Sequence, residues 1–285
     1  MLFERAAIVG VGLIGGSLAL AARKAGLIGT VVGVGRGEAN LATARERGIV
    51  DRTTHELSAI GPTDLVVLAV PLRSTEPVAR ALLPYLKPGT VVTDVGSVKA
   101  PIVAKLDALC APATPFVGAH PIAGSEQAGA AAADAELFRG ARCVLTPTVN
   151  TDVHALERVE ALWRGVGALV ERMTPEAHDR ALAWTSHLVH VVAYALAQAI
   201  DATDPALFRY AGPSLRDATR VAGSAPALWA EILLTNAEAV AAAGAVLSTE
   251  LQRFLDAVRA RDEPALTALL AAGHAARTRL GSSKR

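Results

Sequence analysis

Near the start of the chain a short apolar run, AAIVGVG, passes directly into Gly10-Val11-Gly12-Leu13-Ile14-Gly15 and then into a helical pattern, IGGSLALAARKAG. No other feature restricts the fold so strongly. A strand that ends on Gly-x-Gly-x-x-Gly and opens a helix makes a tight turn at its first glycine. The second glycine lets backbone approach a pyrophosphate, and the third lets the helix pack closely on the sheet. In this context the spacing predicts a dinucleotide site built by Gly10, Val11, Gly12, Leu13, Ile14 and Gly15.

The same alternation continues. TVVGVGR reads as a second strand, LATARERG as a helix, DLVVLAVP and TVVTDVG as strands, and PFVGAHP and ARCVLTPT as two more. Near-continuous valine and leucine runs suit strands covered on both faces, so the first half predicts a doubly wound parallel sheet of the Rossmann type. After Met173 the pattern changes to TPEAHDRALAWTSHLVHVVAYALAQAI, with a threonine cap, proline at the first helical position and an early glutamate. That segment predicts one helix to about Ile200, followed by helices near 214–222, 226–260 and 262–280. The expected organisation is a dinucleotide-binding domain over 1–173 and an all-α domain over 174–285.

Composition excludes several function classes. Of the 285 residues, 52% are hydrophobic, enough for two cores, and 28 basic against 27 acidic residues leave no basic run that would track nucleic acid. Residues 181–200 carry no ionised group between Arg180 and Asp201 and are nominally long enough to span a bilayer. Ser186, His187, His190 and Gln198 argue instead for a buried helix with a polar stripe, in a soluble, cytoplasmic protein with no membrane partner. Cys110 and Cys143 lack metal-ligand spacing and read as buried thiols, so no metal site is expected.

The carboxyl edge of an open parallel sheet is where cofactor and substrate lie. Ala69, Val70 and Pro71, just past one strand, are expected beside the cofactor. Ser97 and Lys99, in DVGSVK, are site candidates by the same argument. His120, in GAHPIAGSE, follows a strand aimed at that edge, between glycines and Pro121 that set its turn, and is expected to be catalytic. At the end of the second strand, Gly35 stands where an NAD site usually has a carboxylate, with Arg36 next to it. A 2′-phosphate would meet no repulsion there and a cation close by, so the residues predict NADP or NAD, with NADP favoured; Glu38 is an alternative ribose ligand.

Taken in order, GVGLIGGS, DVGSVK, HPIAGSE with Phe138-Arg139-Gly140 and VLTPT, then SHLVH and SLRDATRVA resemble the prephenate and arogenate dehydrogenases over residues 5–260. The resemblance implies a Rossmann domain followed by a helical dimerisation domain, with the active site in the cleft between them. It implies a tyrosine-pathway enzyme that oxidatively decarboxylates a cyclohexadienyl acid. His120 takes the family's catalytic position and Ser97 the serine that contacts the same substrate hydroxyl. Substrate-side positions fall on Glu126, Ser186, His187, His190 and Arg220. Val189 replaces the family's usual proline, which predicts a straighter helix. His178 lies nine residues before His187, half a turn out of phase on a regular helix, and is left outside the expected site. Whether prephenate or arogenate is the substrate stays open. So do a related two-domain dehydrogenase, such as a 3-hydroxyacid dehydrogenase or pyrroline carboxylate reductase, and a non-catalytic dinucleotide sensor. The apolar later helices hold more hydrophobic surface than about 110 residues easily bury, which predicts a homodimer through the helical domain.

Overall fold

The computed structural model describes residues 1–110, 113–124 and 127–280. β1 (Phe3–Val9) leads through the glycine loop to α1 (Leu13–Lys24), followed by β2 (Ile28–Val34), α2 (Glu38–Glu46) and β3 (Arg52–Thr54). The second half of the sheet is β4 (Leu65–Leu68), α3 (Leu72–Leu82), β5 (Val91–Asp94), α4 (Ala100–Cys110) and β6 (Phe116–Val117). These six strands pair parallel in the order β3-β2-β1-β4-β5-β6. The reversal of direction between β1 and β4 is the topological switch point of a doubly wound sheet, where a crevice opens beyond the strand ends.

Two apolar layers cover the faces. On one, Ile8, Leu18, Phe138, Leu162 and Trp163 are buried; on the other, Val66, Leu68, Leu82, Val98 and Leu106. The small residues on α1 (Gly15, Gly16, Ser17, Ala19, Ala22) let the helix approach the strands closely. A Cβ at Gly15 would stand 2.4 Å from the Gly10 carbonyl oxygen, and one at Gly10, where φ is +99°, only 2.2 Å from that of Ala69. No other residue type fits at either position without moving backbone.

PFVGAHP is not one strand of the main sheet. It divides at Gly118, where a Cβ would meet Thr146 Oγ1 at 2.5 Å and Val103 at 2.8 Å. After that turn the chain enters a second, three-stranded sheet formed by β7 (Ala119–Pro121), β8 (Arg142–Leu145) and β9 (Leu169–Arg172), with α5 (Val153–Gly165) between the last two. β7 and β8 are antiparallel, β8 and β9 parallel. ARCVLTPT therefore forms a strand but outside the parallel sheet, which ends at β6.

The helical half also differs in detail from the sequence pattern. Thr174 Oγ1 accepts from Ala177 N at 3.2 Å to start α6 (Pro175–Leu182). A single π turn, Ala183–His187, separates it from α7 (Leu188–Thr203). The irregularity thus precedes Val189 instead of falling on it. α8 (Pro213–Thr219) runs into a 3-10 turn at Arg220–Gly223, and α9 (Pro226–Thr235) stops at Asn236, so 226–260 is two helices and not one. By its internal contacts the chain divides into two units, Met1–Asn236 and Ala237–Arg285. The second holds α10 (Ala237–Ala260) and α11 (Glu263–Arg279), joined by a turn in which Arg261 adopts φ 54° and Asp262 caps α11 through Ala265 N at 3.0 Å. Among the described residues no single helix is long and apolar enough to cross a membrane.

Candidate active site

The glycine loop sits at the carboxyl end of β1, with Gly10 against the Ala69 carbonyl that ends β4 and Val70 and Pro71 leading into α3. Val11 is buried beneath the loop, while Leu13 and Ile14 form the first turn of α1. At Gly12 a Cβ would meet nothing within 4 Å, and no side chain caps α1. An open second glycine before an uncapped helix fits a dinucleotide pyrophosphate: the space a side chain would take is clear, and the helix presents its N–H groups to an anion. Asn40, which the sequence reading did not single out, donates to the Val11 carbonyl at 2.7 Å and accepts from Ala130 N at 2.7 Å. It ties the glycine loop to the segment that follows the His120 loop.

At the position that reads the adenosine ribose, Arg36 is exposed and Gly35 packs against Leu41. Glu38 is engaged by His55: His55 Nε2 lies 2.8 Å from Glu38 Oε2, and His55 Nδ1 lies 2.8 Å from the Gly35 carbonyl. The hydrogen bond to Glu38 raises the pKa of His55 above its ordinary value, and the one to Gly35 adds to it.

The other half of the site hangs on a buried ion pair. Lys99 is fully buried and its Nζ binds the Asp94 carboxylate and, at 2.9 Å, the Ala119 carbonyl. Asp94 also accepts from Gly96 N at 2.9 Å and Ala119 N at 3.2 Å. Removing one partner of such a pair would strand a buried charge, at a cost of about 3–5 kcal/mol. Lys99 therefore holds the strand ends together, and half-buried Ser97 rides on the turn it fixes.

His120 follows immediately, on β7. It is 8% exposed, and burial holds its pKa well below the ordinary imidazole value, with the Lys99 charge acting in the same direction. Its Nδ1 lies 2.8 Å from Nε2 of His178, whose Nδ1 lies 2.8 Å from Asp179 Oδ1. On an unbroken helix His178 would fall out of phase with His187. The π turn after α6 changes the phase, and both His178 and His187 are buried. Asp179 accepts from Lys99 N at 2.7 Å and Ala100 N at 2.8 Å, so α6 caps α4.

His187 and His190 share α6–α7 with them. Burial lowers His187 to about 4, and its Nδ1 lies 3.1 Å from the Asn236 side-chain amide, which also donates to the Asp179 carbonyl at 2.8 Å. Both contacts come from the residue at which α9 ends. His190 Nδ1 donates to the Ser186 carbonyl at 2.9 Å, and its ring stacks on Trp229, with centroids 3.3 Å apart. Burial lowers the pKa of His190; the Ser186 contact opposes this and the nearby charge of Arg220 adds to it. Ser186 is half-buried and Arg220 exposed. The structure thus brings His120, His178, His187 and Asp179 into one connected cluster, and His190, Trp229 and Arg220 into a second group. Glu126 lies outside the described residues. No group of three potential metal ligands occurs among the described residues.

A parallel sheet of this strand order, a glycine loop open at its second glycine and a neutral histidine at the sheet's carboxyl edge define a nicotinamide dinucleotide-dependent oxidoreductase. The comparisons are more specific. Residues 18–172 match the family model for the prephenate dehydrogenase nucleotide-binding domain, and residues 174–272 that for the prephenate dehydrogenase dimerization domain. The chain belongs to the prephenate dehydrogenase family. It is 36% identical to cyclohexadienyl dehydrogenase of Zymomonas mobilis, covering 91% of this chain and 90% of that one. It is 34% identical to prephenate dehydrogenase of Bacillus subtilis over 82% of this chain, and spans 64% of that longer relative. Among solved structures it superposes with a TM-score of 0.92 on Aquifex aeolicus prephenate dehydrogenase in complex with hydroxyphenyl propionate and NAD+. The identity is 34%, over 97% of this chain and 98% of that one.

Proposed function

We propose that this chain is a prephenate dehydrogenase of tyrosine biosynthesis that oxidatively decarboxylates prephenate to 4-hydroxyphenylpyruvate. The single observation that carries the reading is the buried, neutral His120, anchored at the carboxyl edge of the sheet on the side of the glycine loop. In prephenate a C4 hydroxyl lies across a non-aromatic ring from a carboxylate. A bound nicotinamide would supply the acceptor for the C4 hydride. His120 takes the hydroxyl proton as that hydride leaves, and Ser97 orients the hydroxyl. Loss of carbon dioxide then sends the C–C electron pair through the ring to the oxygen, where His120 returns the proton, so no net proton is consumed. Arg220 holds a substrate carboxylate, with Ser186, His187 and His190 lining the ring side.

Gly10, Val11, Gly12, Leu13, Ile14 and Gly15 hold the pyrophosphate, flanked by Ala69, Val70 and Pro71. NADP is accepted and favoured over NAD, because Glu38 is occupied by His55 and Arg36 stands exposed beside Gly35. The dinucleotide domain ends at 173 and the helical domain begins at Thr174. The molecule is a homodimer through that second domain, for which the matched dimerization model and the exposed stripe Val189, Val192 and Leu196 on α7 both argue. A cytoplasmic location goes with this reading; there both the cofactor and two unpaired thiols, Cys110 and Cys143, are stable.

Steady-state kinetics with prephenate and arogenate, each with NAD and NADP, test the proposal. Prephenate turnover with release of carbon dioxide is expected, and NADP efficiency at or above that of NAD. In Arg36→Ala the NADP-to-NAD ratio should fall roughly 10- to 100-fold, the worth of a charged hydrogen bond. Exclusive use of arogenate would displace the substrate assignment. A tenfold NAD preference unmoved by the substitution would displace the cofactor assignment.

A further inference from the structure

His178 and Asp179 lie in series behind His120, joined by hydrogen bonds. Asp179 meets Lys99 N at 2.7 Å, Ala100 N at 2.8 Å and His178 Nδ1 at 2.8 Å, and the two backbone groups can only donate. A carboxylate so placed acts as an acceptor throughout, which puts a proton on His178 Nδ1. If that is the only proton on the His178 ring, Nε2 carries a bare lone pair. The proton in the 2.8 Å gap to His120 then sits on His120 Nδ1. His120 is left with Nε2 unprotonated, the form that can accept a proton.

We propose that His178 and Asp179 are positioning residues that lock His120 in the tautomer reactive as a base. Neither touches the substrate in this account. Asp179 fixes His178, and His178 fixes His120. When His120 takes the substrate proton on Nε2, its Nδ1–H remains bonded to His178, and the positive charge is shared toward the Asp179 carboxylate. The proton passes from the substrate oxygen to Nε2 and later back, so no other acceptor is needed. Because the same carboxylate caps α4, which follows the Ser97 turn, the tautomer of His120 and the placement of that turn depend on one side chain. All of these residues lie within the Met1–Asn236 unit.

The proposal rests on the reading of His120 as the proton acceptor, and the test separates the two. Full-length protein labelled with 15N-histidine and saturated with NADP is examined by long-range 1H–15N correlation at neutral pH, the His120 signals being assigned by their loss in His120→Asn. The wild type should show His120 protonated at Nδ1 and bare at Nε2. In His178→Leu that preference should be lost, and kcat should fall about 10²-fold, within the range a general base contributes. The prephenate KM and dinucleotide Kd should stay within about threefold. His178→Gln, whose side-chain carbonyl can accept from Nδ1–H, should recover about tenfold of the lost kcat; a purely structural role for His178 would produce no change of tautomer. An Nε2–H tautomer in the wild type, or a His178→Leu kcat within about threefold of wild type, would overturn the proposal. Should His178→Leu fail to fold, the wild-type tautomer alone decides. Full turnover by His120→Asn would instead remove His120 as the base, whereas loss of turnover there with a normal His178→Leu enzyme would remove only the positioning pair.

Discussion

A base that must take a proton in the chemical step has to be without one beforehand, and at His120 burial is the main cause of that state. A neutral imidazole at ordinary pH is the consequence, so the acid limb of kcat should fall well below pH 6.5. Arg220 presents the opposite case, an exposed guanidinium whose charge reaches His190. A carboxylate contact made in ground and transition states alike contributes uniform binding. Arg220→Ala should therefore raise the prephenate KM by about 10- to 100-fold, the worth of a charged hydrogen bond, and leave kcat within about threefold. Initial rates over a range of prephenate concentrations check this, and an unchanged KM would place Arg220 outside the pocket. His120 and Ser97 were legible as candidates by motif and strand-end position, and Arg220 as a candidate by motif alone. His178 was not, because its place depends on a helix irregularity that a period of 3.6 residues conceals. Asn40 and Asn236 were not legible either, since each acts through backbone atoms distant in sequence.

The elements that carry these groups show the same division between local and distant causes. β1, β2, β4 and β5 could be read directly because each is an apolar run covered on both faces. β3, with the sequence RTT, and β9, with LVER, bring little apolar pattern. PFVGAHP divides at Gly118, where a Cβ would collide with Thr146 and Val103, neighbours that no local pattern reports. The π turn buries His187 and lowers its pKa to about 4, against an ordinary 6.5. Above pH 6.5 neither folded nor unfolded chain protonates it. As pH falls from 6.5 towards 4 only the unfolded chain does, and the folded state loses up to about 3 kcal/mol from this group. Urea midpoints should thus fall across that window, and less so in His187→Gln. Equal pH slopes in the two proteins would show that His187 is not held neutral by the fold.

At the scale of the molecule, the α6–α9 segment supplies carboxylates to two helices that begin at the sheet's carboxyl edge. Asp179 caps α4, and Glu231 on α9 accepts from Arg73 N in the first turn of α3. Negative groups at helix N-termini are favourable, and here they also join α6 to α4 and α9 to α3. Exposed Trp184, Val189, Val192 and Leu196 remain on the same segment. Sedimentation velocity at micromolar concentration should give a dimer, and Val192→Glu should shift it towards monomer; a monomeric wild type would contradict the proposed assembly. The central claim is that this fold places one neutral histidine to take the proton of a cyclohexadienyl hydroxyl. It is tested most directly by His120→Asn, with NADP affinity and prephenate turnover measured on the same preparation. Unchanged cofactor affinity with kcat lowered about 10²-fold or more is the predicted result; near wild-type turnover would contradict it.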